Sequence, residues 1–212
     1  MHNFEKRRDR FNAFASFENP LVNLCFEMEL PDFRPYCKAR QLPPFHFFLY
    51  AVLTSISKID NFMYRVHEGE VIKIEDFLAS YTVINADGNL NFARFDMCDA
   101  LPEFIARSLA AKKVAEASGP LTNTLADQTP LAQRKNIFIT CMPWLKLSAI
   151  EHPIFRHENY DIPSLAWGKF GDGADGMMTI PFAVQAHHGF VDGYHVHLLA
   201  EAIKARLAEL TK

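Results

Sequence analysis

Apolar and polar residues alternate in several short segments of the chain, and this period of two is typical of β-strands with one buried face. The segments are Val22–Leu30, Met63–His67, Glu70–Ile74, Leu78–Ile84, Leu90–Phe95, Asn136–Cys141, Pro163–Phe170 and Met177–His187. Glu68-Gly69 separates one pair of segments, and Asn85 to Gly88 separates another. Both connections have turn-forming residues, so we expect two β-hairpins.

Other segments have apolar residues at helical spacing or in long apolar runs. A short helix is predicted to end at Arg40, with Asp32 as its N-cap. Further helices are predicted over Phe45–Ile59, over Leu101–Ala117 and from Asp192 onward. Leu121–Lys135 is predicted to be a polar loop and Gly171–Gly176 a turn. Strands and helices are mixed without a repeat or a linker, so residues 1–212 are expected to form one mixed α/β domain.

Composition excludes several classes of protein and leaves others open. The net charge of −3 provides no basic field for nucleic acid or an anionic membrane. No apolar run approaches the ~18 residues of a membrane span. The four cysteines form no CxxC pair, which favours a reducing compartment, and we expect a cytoplasmic protein. The nineteen phenylalanines are compatible with a thick core, an aromatic pocket or a subunit interface.

The stretch VQAHHGFVDGYHVHLL is the densest group of ionisable residues, with His187, His188, Asp192, His195 and His197. Adjacent strand residues point to opposite faces, and helix residues two apart diverge by about 200°. A zinc site needs three or four convergent ligands, so this spacing disfavours a metal. The residues leave open a general-base histidine supported by Asp192 and a purely structural cluster. Gly193 fits a tight corner between strand and helix.

The segment HHGFVDGYHV resembles the HHxxxDGxHV signature of the trimeric chloramphenicol O-acetyltransferases. The shorter HHxxxDG pattern also resembles the corresponding motif of lipoyl-dependent acyltransferases and of peptide-synthetase condensation domains. RRDRFNAF, NIFITCMPW, GKF and IPFAVQAHH resemble further elements of the same family, over nearly the whole chain. The resemblance implies a two-layer α/β sandwich, in which a mixed sheet has helices on one side. It also implies a homotrimer with interfacial sites, acetyl-CoA as co-substrate, and no metal or tightly bound cofactor.

The resemblance also assigns roles to individual residues. It implies that His188 is the general base and that the Thr140 hydroxyl, in place of a family serine, stabilises the oxyanion. It pairs Asp192 with an N-terminal arginine in a buried ion pair, with Arg7 as first candidate and Arg8 or Arg10 as alternatives. Lys169 and Phe170 correspond to a Lys-Tyr pair near the coenzyme. His187 is expected in the core, His195 in a structural role and His197 on the helix surface.

The acceptor pocket implied by the resemblance consists of Phe14, Phe92, Ile150, His152 and Ile154. Three positions depart from the family: Phe14 replaces a tyrosine, His152 a leucine, and Ala166 a threonine. The resemblance implies chloramphenicol as the acceptor, and the three departures leave two alternatives open. One is acetylation of another small alcohol, and the other is a catalytically silent protein that binds coenzyme A or another ligand.

Overall fold

The computed structural model of the chain describes residues 2–153, 160–173 and 177–212. The helices are α1 (His2–Glu5), α2 (Arg8–Ala15), α3 (Phe33–Arg40), α4 (Pro44–Ile56), α5 (Asp60–Met63), α6 (Leu101–Ala117), α7 (Pro130–Arg134) and α8 (Gly193–Leu210). The strands are β1 (Leu21–Leu30), β2 (Tyr64–His67), β3 (Glu70–Lys73), β4 (Leu78–Ile84), β5 (Leu90–Asp96), β6 (Asn136–Cys141), β7 (Ser164–Trp167), β8 (Gly171–Asp172) and β9 (Met178–His187). Within these ranges no helix is both long and apolar enough to cross a membrane.

Most strands join one mixed sheet in the order β1-β9-β7-β6-β4-β5, and β8 also pairs with β9. β6 runs parallel to both β4 and β7, and the other pairs are antiparallel. β2 and β3 form a separate hairpin. Its turn has Glu68 at φ 52° and Gly69 at φ 79°, the left-handed conformations that a tight two-residue hairpin needs.

The two faces of the sheet have different surroundings. Tyr81 of β4 donates a hydrogen bond from its hydroxyl to the Ser108 carbonyl in α6 (2.8 Å), so its face is the helix face. Ile139 is in register with Tyr81, and Leu165 with Ile139, so the buried apolar residues of neighbouring strands pack under the helices. The alternate residues, including Thr140, form what we call the open face. This is the two-layer arrangement that the family resemblance implies.

The structure confirms both hairpins, and it differs from the sequence prediction at several boundaries. The predicted polar loop Leu121–Lys135 contains a 3-10 turn at Leu125–Asp127 and helix α7, because Thr129 caps α7 by accepting the Ala132 N–H (3.3 Å). Asp32 precedes α3 with φ 55° and makes no side-chain cap. Gly171 and Asp172, predicted as a turn, pair with β9.

A polar group lies inside the helix layer. Nδ1 of His46 on α4 is 2.7 Å from the Ser108 hydroxyl, and that hydroxyl lies 3.2 Å from the Tyr81 hydroxyl. All three residues are buried. Burial, with a smaller contribution from Lys112, lowers the pKa of His46 to about 4, so the ring is neutral at pH 7.

We expect His46 to make the protein less stable in acid. An unfolded histidine binds its proton near its ordinary pKa of 6.5, whereas buried His46 binds it near 4, so stability falls as the pH drops between these values. From pH 7.5 to pH 5, His46 should account for about 1–2 kcal/mol of this loss. His46→Gln should reduce the difference in urea unfolding free energy between the two pH values by that amount. His197→Gln, at an exposed position, is the control. An unchanged difference in His46→Gln would contradict the assignment.

Candidate active site

One face of helix α2 packs on the turn that follows β9. Phe11 stacks on His187, with ring centroids 5.3 Å apart, and Phe14 stacks on His188 at 4.0 Å. Arg7, at the N-cap of α2, precedes them by four and seven residues, so all three side chains lie on the same helical face. The sequence comparison identified Arg7 and Phe14 but missed Phe11.

Arg7 forms the ion pair with Asp192, with Nη1 3.0 Å from Oδ2. Its Nε also donates to the Gly189 carbonyl (3.3 Å). Arg8 and Arg10, the alternatives, pair instead with Glu5 and Asp9. The expectation of a buried pair is wrong for a single chain: the Arg7 and Asp192 side chains are 17% and 34% exposed, because the contact lies where α2 meets the protein surface.

Asp192 also caps helix α8. Its Oδ1 accepts the backbone N–H groups of Tyr194 (3.0 Å) and His195 (3.4 Å). Burial acts to raise the pKa of the carboxyl, but His195, Arg7 and the backbone donor outweigh it and the pKa is lowered. The Asp192 N–H in turn donates to Nδ1 of His195 (3.2 Å), which completes a capping box. His195 therefore helps to cap the N-terminus of α8.

The hydrogen bonds of His188 determine which ring nitrogen is free. Nδ1 lies 3.1 Å from the Val191 carbonyl oxygen, which can only accept, so Nδ1 carries the proton. Nε2 is then left with its lone pair, as a general base requires. The backbone N–H of His188 donates to the Pro20 carbonyl (2.7 Å) and ties the residue to the start of β1.

His187 is buried, as expected, and has a different environment. Its ring lies against both Phe11 and Phe190, and Nδ1 accepts the Gly189 N–H (3.0 Å). Burial is the main cause that lowers its pKa to about 4. A Cβ on Gly189 would lie 2.8 Å from the Phe11 Cα, whereas one on Gly193 would meet nothing closer than 3.9 Å. The glycine that the close approach requires is therefore Gly189 and not Gly193.

A single chain does not bring Thr140 near His188. Thr140 on β6 is in register with Ala166, and Ala166 with Ala183, which precedes His188 by five residues along β9. With strands ~4.8 Å apart and a rise of ~3.4 Å per residue, the two Cα atoms are about 20 Å apart. A reaction that uses both side chains therefore needs two copies of the chain.

Three of the expected acceptor-pocket residues lie on or over the open face with Thr140. The segment with Ile150 and His152 crosses this face: Asn23 donates to the Ile150 carbonyl, and Gln185 Oε1 accepts the His152 N–H (2.9 Å). Phe92 on β5 points the same way, because its neighbour Ala93 is in register with helix-facing Tyr81. Burial lowers the pKa of His152.

The remaining expected residues lie elsewhere. Phe14 contacts His188 and is not on the open face, because α2 carries it to the β9 turn. Ile154 is outside the described residues. Lys169 is exposed just after β7, and Phe170 stacks on Phe33, with centroids 5.5 Å apart. Among the described residues, no three His, Cys, Asp or Glu side chains are grouped as metal ligands.

Comparisons with known proteins agree with this geometry. A sequence profile described as "Chloramphenicol acetyltransferase" matches residues 2–204. A chloramphenicol acetyltransferase of Bacillus pumilus is 22% identical over 210 residues, covering 93% of this chain and 88% of that protein. The corresponding Proteus mirabilis protein is 20% identical over 200 residues, with coverage of 93% and 88%.

Solved structures share the fold. A chloramphenicol acetyltransferase superposes with a TM-score of 0.86 and 24% identity, covering 96% of this chain and 97% of that one. The dihydrolipoamide acetyltransferase of Azotobacter vinelandii has a TM-score of 0.68 and 13% identity, with coverage of 97% and 88%.

The Arg7–Asp192 ion pair should contribute more to stability than a fully exposed pair in the same segment. A double-mutant cycle of Arg7→Gln and Asp192→Asn, measured by urea unfolding, should give a coupling of about 1 kcal/mol because both groups are partly desolvated. The Arg10–Asp9 pair is exposed and is the matched control, with Arg10→Gln and Asp9→Asn. Its coupling should be clearly smaller, because water screens both of these exposed charges. Equal couplings in the two cycles would mean that the Arg7–Asp192 contact does not hold the turn.

Proposed function

Because this chain belongs to the chloramphenicol acetyltransferase family, and so is an acyltransferase, we propose that it transfers an acetyl group from acetyl-CoA to a hydroxyl of chloramphenicol. The observation that carries the proposal is the His188 ring. Its Nδ1–H is bound to the Val191 carbonyl, so Nε2 is available to accept a proton. A histidine in this state is the common general base for activating an alcohol at neutral pH.

In the proposed reaction, Nε2 of His188 takes the proton of the acceptor hydroxyl as its oxygen attacks the thioester carbonyl carbon. The carbonyl oxygen becomes an oxyanion and accepts a hydrogen bond from the Thr140 hydroxyl. The C–S bond then breaks, and the coenzyme A sulfur leaves with the proton returned by His188. The products are the acetyl ester and free coenzyme A. The scheme needs no metal or tightly bound cofactor.

The separation of about 20 Å between Thr140 and His188 supports an assembly in which each site uses two copies. We propose that residues 1–212 form one domain and that three copies form a homotrimer, with His188 of one copy facing Thr140 of the next. Ile150, His152 and Phe92, and Ile154 from outside the described residues, would bind the acceptor. Lys169 and Phe170 would contact the coenzyme. The four cysteines are free thiols, which supports a cytoplasmic location.

Arg7, Asp192 and Phe14 are proposed as positioning residues for His188. Arg7 bridges the Asp192 carboxylate and the Gly189 carbonyl, on both sides of the turn that carries the Val191 acceptor. Phe14 limits rotation of the imidazole by stacking on it at 4.0 Å. The stacked ring also favours the imidazolium that forms when His188 takes the proton. Phe14 would thus act on the base, and it also stays a candidate for the acceptor pocket, because the acceptor hydroxyl must reach the imidazole on which Phe14 stacks.

A second candidate is acetylation of another small alcohol, and His152 favours it. Its main chain is held by Gln185 on the open face, and burial keeps the imidazole neutral. A neutral imidazole in an apolar pocket needs a hydrogen-bond partner. A buried imidazole without one costs about 1–3 kcal/mol of free energy. An acceptor with a matching polar group would supply it. A catalytically silent protein is disfavoured, because it has no need for a free Nε2 on His188.

Purified protein with acetyl-CoA and chloramphenicol should release coenzyme A, followed with a thiol reagent. His188→Ala should abolish release while the protein stays folded and still binds coenzyme A, because the half-buried ring gives up only its hydrogen bond to the Val191 carbonyl and its stacking on Phe14. His197→Ala, exposed on α8, should keep the wild-type rate. Release with another alcohol but not with chloramphenicol would replace the acceptor and keep the mechanism. A wild-type rate in His188→Ala would reject the mechanism.

Subunit mixing should reveal sites shared between copies. Thr140→Val should lose roughly 10²–10³-fold in rate, because one oxyanion donor is lost, and Thr140→Ser should stay active. Mixed trimers purified after co-expression of His188→Ala and Thr140→Val chains should recover about one third of the wild-type rate, because one of the three interfaces in each mixed trimer pairs two intact residues. Both chains would carry different tags for purification of mixed trimers. If the two residues came from one chain, mixing would recover no activity above that of the parent variants.

A further inference from the structure

A cavity of about 410 Å³ lies beside the β9 turn, and its lining does not include Phe92, Ile150 or His152. It lies between the N-terminal segment, the β2–β3 hairpin and the end of β9. Its lining includes Phe11, Phe17, Val66, Arg134, Asp161 and His187. The volume is in the range of about 300–1,000 Å³ that is typical of small-molecule sites.

The buried side of the cavity has an excess of positive charge. Arg134 Nη1 lies 2.7 Å from Asp161 Oδ1, and the other oxygen of Asp161 accepts the Val66 N–H (2.7 Å). Arg65 is fully buried behind them, and its guanidinium donates to backbone carbonyls of Phe62, Tyr64, Arg134 and Asn136. Burial lowers the pKa of Arg65 to about 10, so it stays charged at pH 7. Two guanidinium groups thus face one carboxylate.

Two side chains of the lining have a hydrogen-bond donor that the described residues do not use. Arg134 Nε is buried and has no hydrogen-bond partner among the described residues. Nδ1 of His187 accepts the Gly189 N–H, so the proton of this neutral ring is on Nε2. Glu68 is the other acidic residue of the lining, but its side chain is 86% exposed, so water screens its charge. The balance of charge and donors therefore favours an anion.

The rest of the lining is apolar. Phe11, Pro20 and Val66 contribute to it, and Phe17 remains 58% exposed at its edge. Phe17 also contacts Phe14, with centroids 5.5 Å apart, and Phe14 stacks on His188. We propose that this cavity binds a small organic carboxylate, whose carboxylate group meets Arg134 and His187 and whose apolar body packs on Phe11 and Phe17. This is a site beyond the acetyl-transfer reaction.

The proposal can be tested by calorimetric titration of the intact protein with benzoate, in a carboxylate-free buffer at constant ionic strength. Benzyl alcohol has nearly the same shape without the charge. Benzoate should bind at least ten times more tightly than benzyl alcohol, because only the anion compensates the buried positive charge. Equal affinity, or no benzoate binding, would overturn the proposal. The measurement needs no turnover, so its failure would leave the proposed function untouched, and loss of turnover would not affect it.

Variants locate the site. Ala15 lines the cavity and is exposed at the end of α2, so Ala15→Trp should block benzoate and weaken its binding at least ten-fold. Ala13→Trp, on the same helix but outside the lining, should bind as the wild type does. Arg134→Gln should remove the preference for benzoate over benzyl alcohol, provided that a thermal melt shows a folded protein. Unchanged benzoate binding in Ala15→Trp would place the anion elsewhere and overturn the proposal.

Discussion

The contact on which the candidate site depends is the one between the Arg7 guanidinium and the Asp192 carboxylate. The carboxylate accepts from Arg7 with one oxygen and from two backbone N–H groups of α8 with the other, so one side chain joins α2 to α8. Arg7 also holds the Gly189 carbonyl in the turn between them. Asp192 stays ionised in this position because the groups that donate hydrogen bonds to its carboxylate outweigh the cost of partial burial. Without it, α2 would lose its polar anchor, and only stacking by Phe11 and Phe14 would hold it on the histidine pair.

The sheet imposes the second constraint. Thr140 and His188 are on strands separated by β7, and five residues of β9 add to that separation. Because strand spacing and rise are fixed by backbone geometry, no side-chain rearrangement could close a gap of about 20 Å. Among the described residues, no layer of long helices covers the open face with Thr140, and this leaves room for the second copy that we propose. A reaction that uses both residues would therefore need two chains, and this requirement follows from sheet topology.

Periodicity predicted most of this fold because a strand or helix that buries one face has apolar residues at a regular spacing. It missed α1, α2, α5 and α7, and in α7 Thr129 and a proline start a helix that is too short to show a period. The family resemblance pointed to Arg7, His188 and Phe14, but it could not predict that Phe14 stacks on His188, because a sequence match does not show which surface a helix packs on. A signal was present: Phe4, Arg7, Phe11 and Phe14 are spaced by three, four and three residues, as on one helical face. The required Gly189 left no signal, because the atom it must avoid belongs to Phe11, distant in sequence.

The two adjacent histidines differ because one turn offers them opposite partners. The Gly189 N–H can only donate, so His187 keeps its Nδ1 lone pair and carries its proton on Nε2. The Val191 carbonyl can only accept, so His188 carries its proton on Nδ1 and keeps the lone pair on Nε2. His187 is also enclosed by two phenylalanines, with a pKa near 4, and is neutral over the physiological range. Two adjacent histidines in a sequence do not reveal this distinction. It depends on the backbone groups of the next three residues, which provide the Gly189 N–H and the Val191 carbonyl. The same turn that makes His188 suited to accept a proton makes His187 suited to donate a hydrogen bond into the neighbouring cavity.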